Sequence, residues 1–213
     1  MKKIYTLLAL IISFSMNAQV STNSTSPTGT YASAMGNGTT ASGNESTAMG
    51  YDTTASAEAS TAMGYSTTAS AESSTAMGRG TTASGTRSTA MGYNTRAMGN
   101  YSTAMGNSTT ASGNESTAMG VGTTASGGIS TAMGYFTTAS DYASVVIGQF
   151  NSSGSSATSA SSFSTSAPAF VIGNGTSGSL SDAFKVMFNG NATVSNDLTV
   201  SGDVNITSDA RLK

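Results

Sequence analysis

Small apolar residues recur along this chain on a fixed beat. Ala34-Met35-Gly36 returns as Ala48-Met49-Gly50, Ala62-Met63-Gly64, Ala76-Met77-Gly78 and Ala90-Met91-Gly92, then at Ala104, Ala118 and Ala132, in steps of 14 residues. Halfway between lies a polar motif, as in Thr39-Thr40-Ala41-Ser42 and Thr53-Thr54-Ala55-Ser56. The underlying period is therefore seven, in two alternating flavours. From Gly36 to Ile147 it runs through 16 heptads without an insertion, and the sixth position is alanine in fifteen of them and Val146 in the last.

Heptads suggest a coiled coil, but a coiled coil needs large apolar residues at two positions and helix formers between them. The intervening residues here are Gly, Ser, Thr and Asn, all poor in a helix interior. Runs such as Ser46-Thr47-Ala48-Met49 suit strands of three or four residues, and the Gly-Asn, Gly-Tyr and Ala-Glu steps suit turns. The predicted fold is all-β: a parallel β-roll, or solenoid, of 14-residue coils with two short strands each.

Side chains alternate along a strand, so the sixth-position alanines face one way and positions five and seven the other. The alanine row is expected inside a flattened roll. One outer face then carries Thr47 with Met49 and Thr61 with Met63, a methionine ladder. The other carries Thr40 with Ser42, Thr54 with Ser56 and Thr68 with Ser70, a hydroxyl ladder.

Energetics turn the methionine ladder into an expectation about assembly. Two alanine methyls per coil contribute on the order of 1.5 kcal/mol. Ordering the backbone costs about 1–2 kcal/mol for each residue. Burying a methionine side chain adds roughly 1.5–3 kcal/mol, and a stripe of them left in water is the kind of patch that marks an interface. Met35, Met49, Met63, Met77, Met91, Met105, Met119, Met133 and Ile147 are the candidate contact surface of a homotrimer. Three copies would bring their stripes together on one axis.

Composition removes other classes of function. The 213 residues include 25 glycines and 12 methionines but no cysteine, histidine or tryptophan. A disulfide framework, a zinc site and histidine or thiolate catalysis are excluded; no metal or cofactor is expected. Eight basic against ten acidic residues provide no basic stripe for nucleic acid. Lys2 and Lys3, the apolar run from Ile4 to Phe14 and the small residue Ala18 read as a secretory signal peptide over residues 1–18, so the mature chain is expected to be exported, with a net charge of −4 and no transmembrane segment. Residues 19–30 then form an N-terminal linker.

The coil Ser46-Thr47-Ala48-Met49-Gly50, and especially Ser144-Val145-Val146-Ile147-Gly148, resemble the repeat of YadA-like trimeric autotransporter adhesin heads. The resemblance spans residues 31–148, with methionine where the family usually has isoleucine. It implies a left-handed parallel β-roll, three chains side by side, and adhesion at the cell surface to a host, matrix or cellular ligand it does not identify. It also implies a C-terminal barrel anchor, of which residues after Gly148 show no sign. One coil departs from the pattern: Arg96-Ala97-Met98-Gly99 interrupts the hydroxyl face without breaking phase.

Residues 149–169 are Ser- and Gly-rich, a neck composition. Residues 170–207 contain short apolar alternations and Asn189-Gly190 as a turn signal, read as a β-stalk. Ser208-Asp209-Ala210-Arg211-Leu212-Lys213 is similar to the opening of endosialidase-type intramolecular chaperone domains of tail fibres. That resemblance would make Ser208 and Lys213 a self-cleavage dyad, in a domain of which residues 208–213 are only the start; this chain itself is expected to have no protease activity.

The leading function is a secreted or surface-displayed trimeric fibre with multivalent, adhesin-like binding. Its candidate face is Thr40, Ser42, Thr54, Ser56, Thr68 and Ser70 with the turn residues Tyr51, Tyr65 and Tyr93. One alternative is an ice-binding solenoid using the Thr/Ser ladder. Another is the passenger of a self-cleaving, tail-fibre-like protein.

Overall fold

The computed structural model describes residues 24–199 and residue 201. The expected signal peptide and the Ser208–Lys213 motif lie outside the described residues. Among the described residues every regular element is a strand.

The repeat region is a parallel β-solenoid of about nine turns. Each coil contributes one two-residue strand, such as Thr54–Ala55, and one five-residue strand, such as Thr61–Tyr65. The two-residue strands stack into a nine-stranded sheet and the five-residue strands begin a twelve-stranded one. Register is a constant 14 residues: Ala48 pairs Ala62, Met49 pairs Met63 and Gly50 pairs Gly64. The methionine-side strands thus outrun the three or four residues expected, through Gly50 to Tyr51.

Corners are made by the third heptad position, which takes a left-handed conformation coil after coil. Glu45, Asp52, Ala59, Ile129 and Phe136 all have φ between 50° and 59°. A side chain there costs roughly 1–2 kcal/mol. Part of the return is a hydrogen bond to the preceding coil: Glu45 N–H donates to Thr30 O, Asp52 N–H to Asn37 O and Ala59 N–H to Asn44 O. Strand amides donate the other way, as Thr54 N–H does to Thr67 O, so neighbouring coils are stitched in both directions.

All fifteen sixth-position alanines and Val146 are fully buried. The interior is not alanine alone, as the arithmetic of two methyls per coil supposed. The fourth position also turns inward: Thr39, Thr53, Thr67 and their successors from one strand, and Ser46, Ser60, Ser74 and theirs from the other. The serine hydroxyls mostly donate to a carbonyl three residues back, as Ser46 Oγ does to Gly43 O at 2.6 Å. Residues two apart on an extended segment share a face, so the fourth position follows the sixth inside.

The roll is closed at its C-terminal end by residues 150–160. Asn151 imitates a strand: its Oδ1 accepts from Thr138 N–H at 2.8 Å and its Nδ2 donates to Thr138 O at 2.9 Å. Ser140 N–H donates to Gly154 O, and the buried Asp141 accepts from the amides of Thr158 and Ser159. The narrow sheet's last edge is thus covered, which blocks strand addition there. The wide sheet continues: Pro168–Asn174 pairs parallel with Val145–Gln149, keeping Ile147 opposite Ile172 and Gly148 opposite Gly173. Asp182–Met187 and Ala192–Val194 then add antiparallel.

Asp182 ties this last hairpin to the closing loop. Its carboxylate accepts from Ser152 N–H and Oγ and from Ser153 N–H. Partial burial would raise its pKa, but the hydrogen bonds from Ser153 and Ser152 together outweigh that and hold it below the ordinary 3.8. The tie therefore stabilises the fold above that value and is lost as pH falls through the lowered one.

Candidate functional site

The outward positions of the wide strands build the first face. Met35, Met49, Met63, Met77, Met91, Met105, Met119 and Met133 stand in register on consecutive strands. From Met49 to Met133, and at Ile147, the side chains are half-buried in the single chain; Met35, on the first of these strands, is exposed.

The narrow sheet builds the second face. Thr40, Thr54 and Thr68 are half-buried and Ser42, Ser56 and Ser70 are exposed, with Thr40, Thr54 and Thr68 in register. Arg96 stands exposed between Thr82 and Thr110, and Met98 beside it is 42% exposed. A regular hydroxyl grid is therefore interrupted in its middle, on strands only two residues wide, and the ice-binding alternative is not favoured.

Tyr51, Tyr65 and Tyr93 are not loop residues. Each ends a five-residue strand and is 42–51% exposed. The constant register stacks them along one edge: the Tyr51 and Tyr65 rings lie 5.1 Å apart and 7° from parallel. That separation is close to the ~4.8 Å spacing of paired strands. Arg79 fills the rung between Tyr65 and Tyr93, its guanidinium 5.4 Å and 5.5 Å from their ring centres. The edge thus reads Tyr51, Tyr65, Arg79, Tyr93, a column held by stacking and cation–π contact.

Sequence reasoning missed Arg79, although its position 14 residues after Tyr65 and 14 before Tyr93 carried the signal. It also missed a second cluster near the closing loop, where Phe136 and Phe150 stack at 5.2 Å and Tyr135 meets both edge-on. At another corner Arg87 donates to the Tyr101 hydroxyl at 2.6 Å and lies 3.7 Å from Glu72. Both charged partners are more than half exposed, so that ion pair adds little.

Among the described residues no three of His, Cys, Asp or Glu converge on one point. An open polar recess of about 530 Å³ beside Asp182, Ser152 and Lys185 holds one acid already bound by serines. Among the described residues no helix is long and apolar enough to cross a membrane.

A solenoid with one thioether face, one hydroxyl face and an aromatic edge belongs to the class of β-solenoid repeat proteins, built of stacked coils. The model of the YadA head domain repeat matches residues 28–53, 55–81, 83–109, 97–123, 111–128 and 125–151, more than half of the chain, and the chain belongs to that family. A search of curated proteins gives no match.

Proposed function

We propose that this chain is the head of a trimeric, surface-displayed fibre of the adhesin type, exported by its N-terminal signal. YadA-type heads are trimeric adhesin modules. The observation that carries the reading is the eight-rung methionine ladder, an apolar stripe running the length of one sheet and only half covered by its own chain. Three copies with their stripes on a common axis would remove it from water. The hydroxyl face and the Tyr51–Tyr93 column remain outside for ligands. Tyrosine offers contact area at low entropic cost, and weak contacts repeated along nine coils and three chains add through multivalency.

Sedimentation of the exported protein is expected to give the mass of three chains. A folded monomer whose methionines resist oxidation would overturn the trimer. Removing residues 50–105, four whole coils, joins Met49 to Gly106 in phase and should keep the fold while weakening attachment to cells or matrix. Attachment unchanged by that deletion would place binding outside the roll.

A further inference from the structure

We propose that the corner recess at Gly128 is a binding site for a neutral sugar ring, a pyranoside, seated between Tyr142 and Glu115. The recess holds about 410 Å³, within the range of small-molecule sites. Its walls are the corner residues Asn114, Glu115, Ile129 and Tyr142, with Ala160 and Ser161 where the closing loop ends. Ser112 and Ser126 of the outer hydroxyl row complete it, and no methionine is among its lining residues. It therefore opens on the narrow-sheet side, and a trimer closed on the methionine ladder leaves it accessible.

Register makes this site, not a motif. Ser112-Gly113-Asn114-Glu115-Ser116 repeats Ser42-Gly43-Asn44-Glu45-Ser46 residue for residue. One coil on, the position after Asn44 in the column is Glu58, whereas the position after Asn114 is Gly128. Asn44, Asn100 and Asn114 each accept through Oδ1 from an amide of the preceding coil, those of Thr30, Thr86 and Asn100 in turn. Gly128 has no side chain to do this for the Asn114 amide, which is left beside the recess. Tyr142 borders the gap, since a Cβ at position 128 would lie 3.2 Å from its Cδ2. Asn114 and Tyr142 stand two coils apart, roughly 10 Å.

The loop wall is fixed before a ligand arrives. Gly128 N–H donates to Ala160 O and Tyr142 N–H to Ser159 O, both at 2.8 Å. Buried Asp141 accepts from the amides of Thr158 and Ser159. A preformed wall spares the cost of ordering it on binding.

Chemistry selects the ligand. A pyranoside has an apolar C–H face and a hydroxyl edge. The recess sets the Tyr142 ring and Ile129 against a carboxylate, an amide and serine hydroxyls, apolar walls with a few placed polar groups. The ion pair among the described residues joins Arg87 to Glu72, so the exposed Glu115 carboxylate is free to accept from two sugar hydroxyls. No lysine or arginine lines the recess, so a sugar acid meets only like charge there. One carboxylate is too few for a divalent cation. The site belongs to a single chain and rests on neither the trimer nor the adhesin reading.

The test is titration of methyl glycosides of glucose, galactose, mannose and N-acetylglucosamine into the exported protein carrying 13C-methyl isoleucine. At least one should shift the Ile129 signal saturably while Ile147, in the methionine column, stays unmoved. N-acetylneuraminic acid, a sugar acid, should leave both in place. Gly128→Asn should extend the asparagine ladder, fill the gap and abolish the Ile129 shift. Its Cβ meets only the movable Tyr142 ring and the Ala160 carbonyl at 3.6 Å, so the fold should hold. Glu115→Gln should weaken binding about tenfold through the loss of hydrogen bonds to a charged group. Glu45→Gln, the same change in the twin motif, should leave binding as it was. Should Gly128→Asn fail to fold, the two glutamine variants decide. The proposal is overturned by no saturable Ile129 shift with any glycoside, by a shift that folded Gly128→Asn retains, or by Glu115→Gln binding as well as Glu45→Gln. An equal shift with N-acetylneuraminic acid would overturn it too. Sedimentation and attachment, measured separately, distinguish this failure from failure of the fibre reading.

Discussion

Replacing Ala62 by leucine is expected to break the roll near its middle. Ala62 is fully buried, and its column neighbours Ala48 and Ala76 are fixed one strand away on either side. Across the interior stand the equally enclosed Ala55 and Ala69. Three further carbon atoms have no space to enter, and overpacking costs about 1–3 kcal/mol even in cores that can yield. In a solenoid, stability is close to a sum of coil and neighbour terms, so one coil forced open weakens both of its interfaces. Melting followed by circular dichroism should fall by on the order of 5–10 °C, with new protease sensitivity around Ala57–Ser60. Thr54→Ser changes an outward, half-buried side chain and should stay within about 0.5 kcal/mol of the native protein. Equal melting of the two variants would mean that inside and outside are exchanged.

Much of this architecture is legible because the chain repeats itself. A 14-residue beat with alanine at every seventh place fixes both the coil length and the row that must be enclosed. The methionine and hydroxyl faces then follow from alternation along a strand. What escaped lies where the repeat is permissive. Glu45, Ile129 and Phe136 all take the left-handed corner, because the coil-to-coil hydrogen bond there uses only backbone. No residue type at the third position announces it. The alternation argument covered only positions five to seven, so the inner Thr39 and Ser46 rows, whose side chains are enclosed, were left unplaced. Threonine and valine have nearly the same shape, and nothing in the structure explains why the hydroxyl is kept.

The closing loop was illegible for a different reason. Residues 149–169 have a linker's composition, yet Asn151 and Asp141 make side-chain hydrogen bonds that stand in for a missing strand. Such one-off pairings have no periodicity to betray them. The aromatic column lay in between: its tyrosines were visible as a group, but Arg79 joins them only once the register of Tyr65 and Tyr93 is known. For the candidate surfaces, then, the sequence pattern placed residues on faces, and register supplied their neighbours.

Gly64→Ala should be more damaging than any single change on the outer faces, and the comparison with Gly43→Ala shows why. Gly64 follows the methionine in its strand with φ +124°, a region that residues with a Cβ rarely enter. An added Cβ would lie 2.0 Å from the carbonyl oxygen of Gly78 on the next coil. That oxygen belongs to a column, Gly36 through Gly148, in which backbones approach each other strand after strand. Backbone strain of about 1–3 kcal/mol adds to an overpacking cost of similar size. Gly43 stands at the corresponding corner before the other kind of strand. A Cβ there also meets a carbonyl, that of Ala57 at 1.9 Å, but φ is outside the left-handed region. The chain itself shows the remedy, because Ala57 and Ala71 occupy the equivalent corner. Their amides are satisfied by Ser60 Oγ and Ser74 Oγ, where Gly43 N–H instead reaches Ala55 O. Ser46 is already in place to do the same for an alanine at position 43. Gly43→Ala should therefore cost less than about 1 kcal/mol, within the range of mild substitutions. Gly64→Ala should lose several kcal/mol and much of the yield of folded protein. Parallel melts of the two variants decide the matter: similar stability would show that the glycine column is not a requirement of backbone geometry.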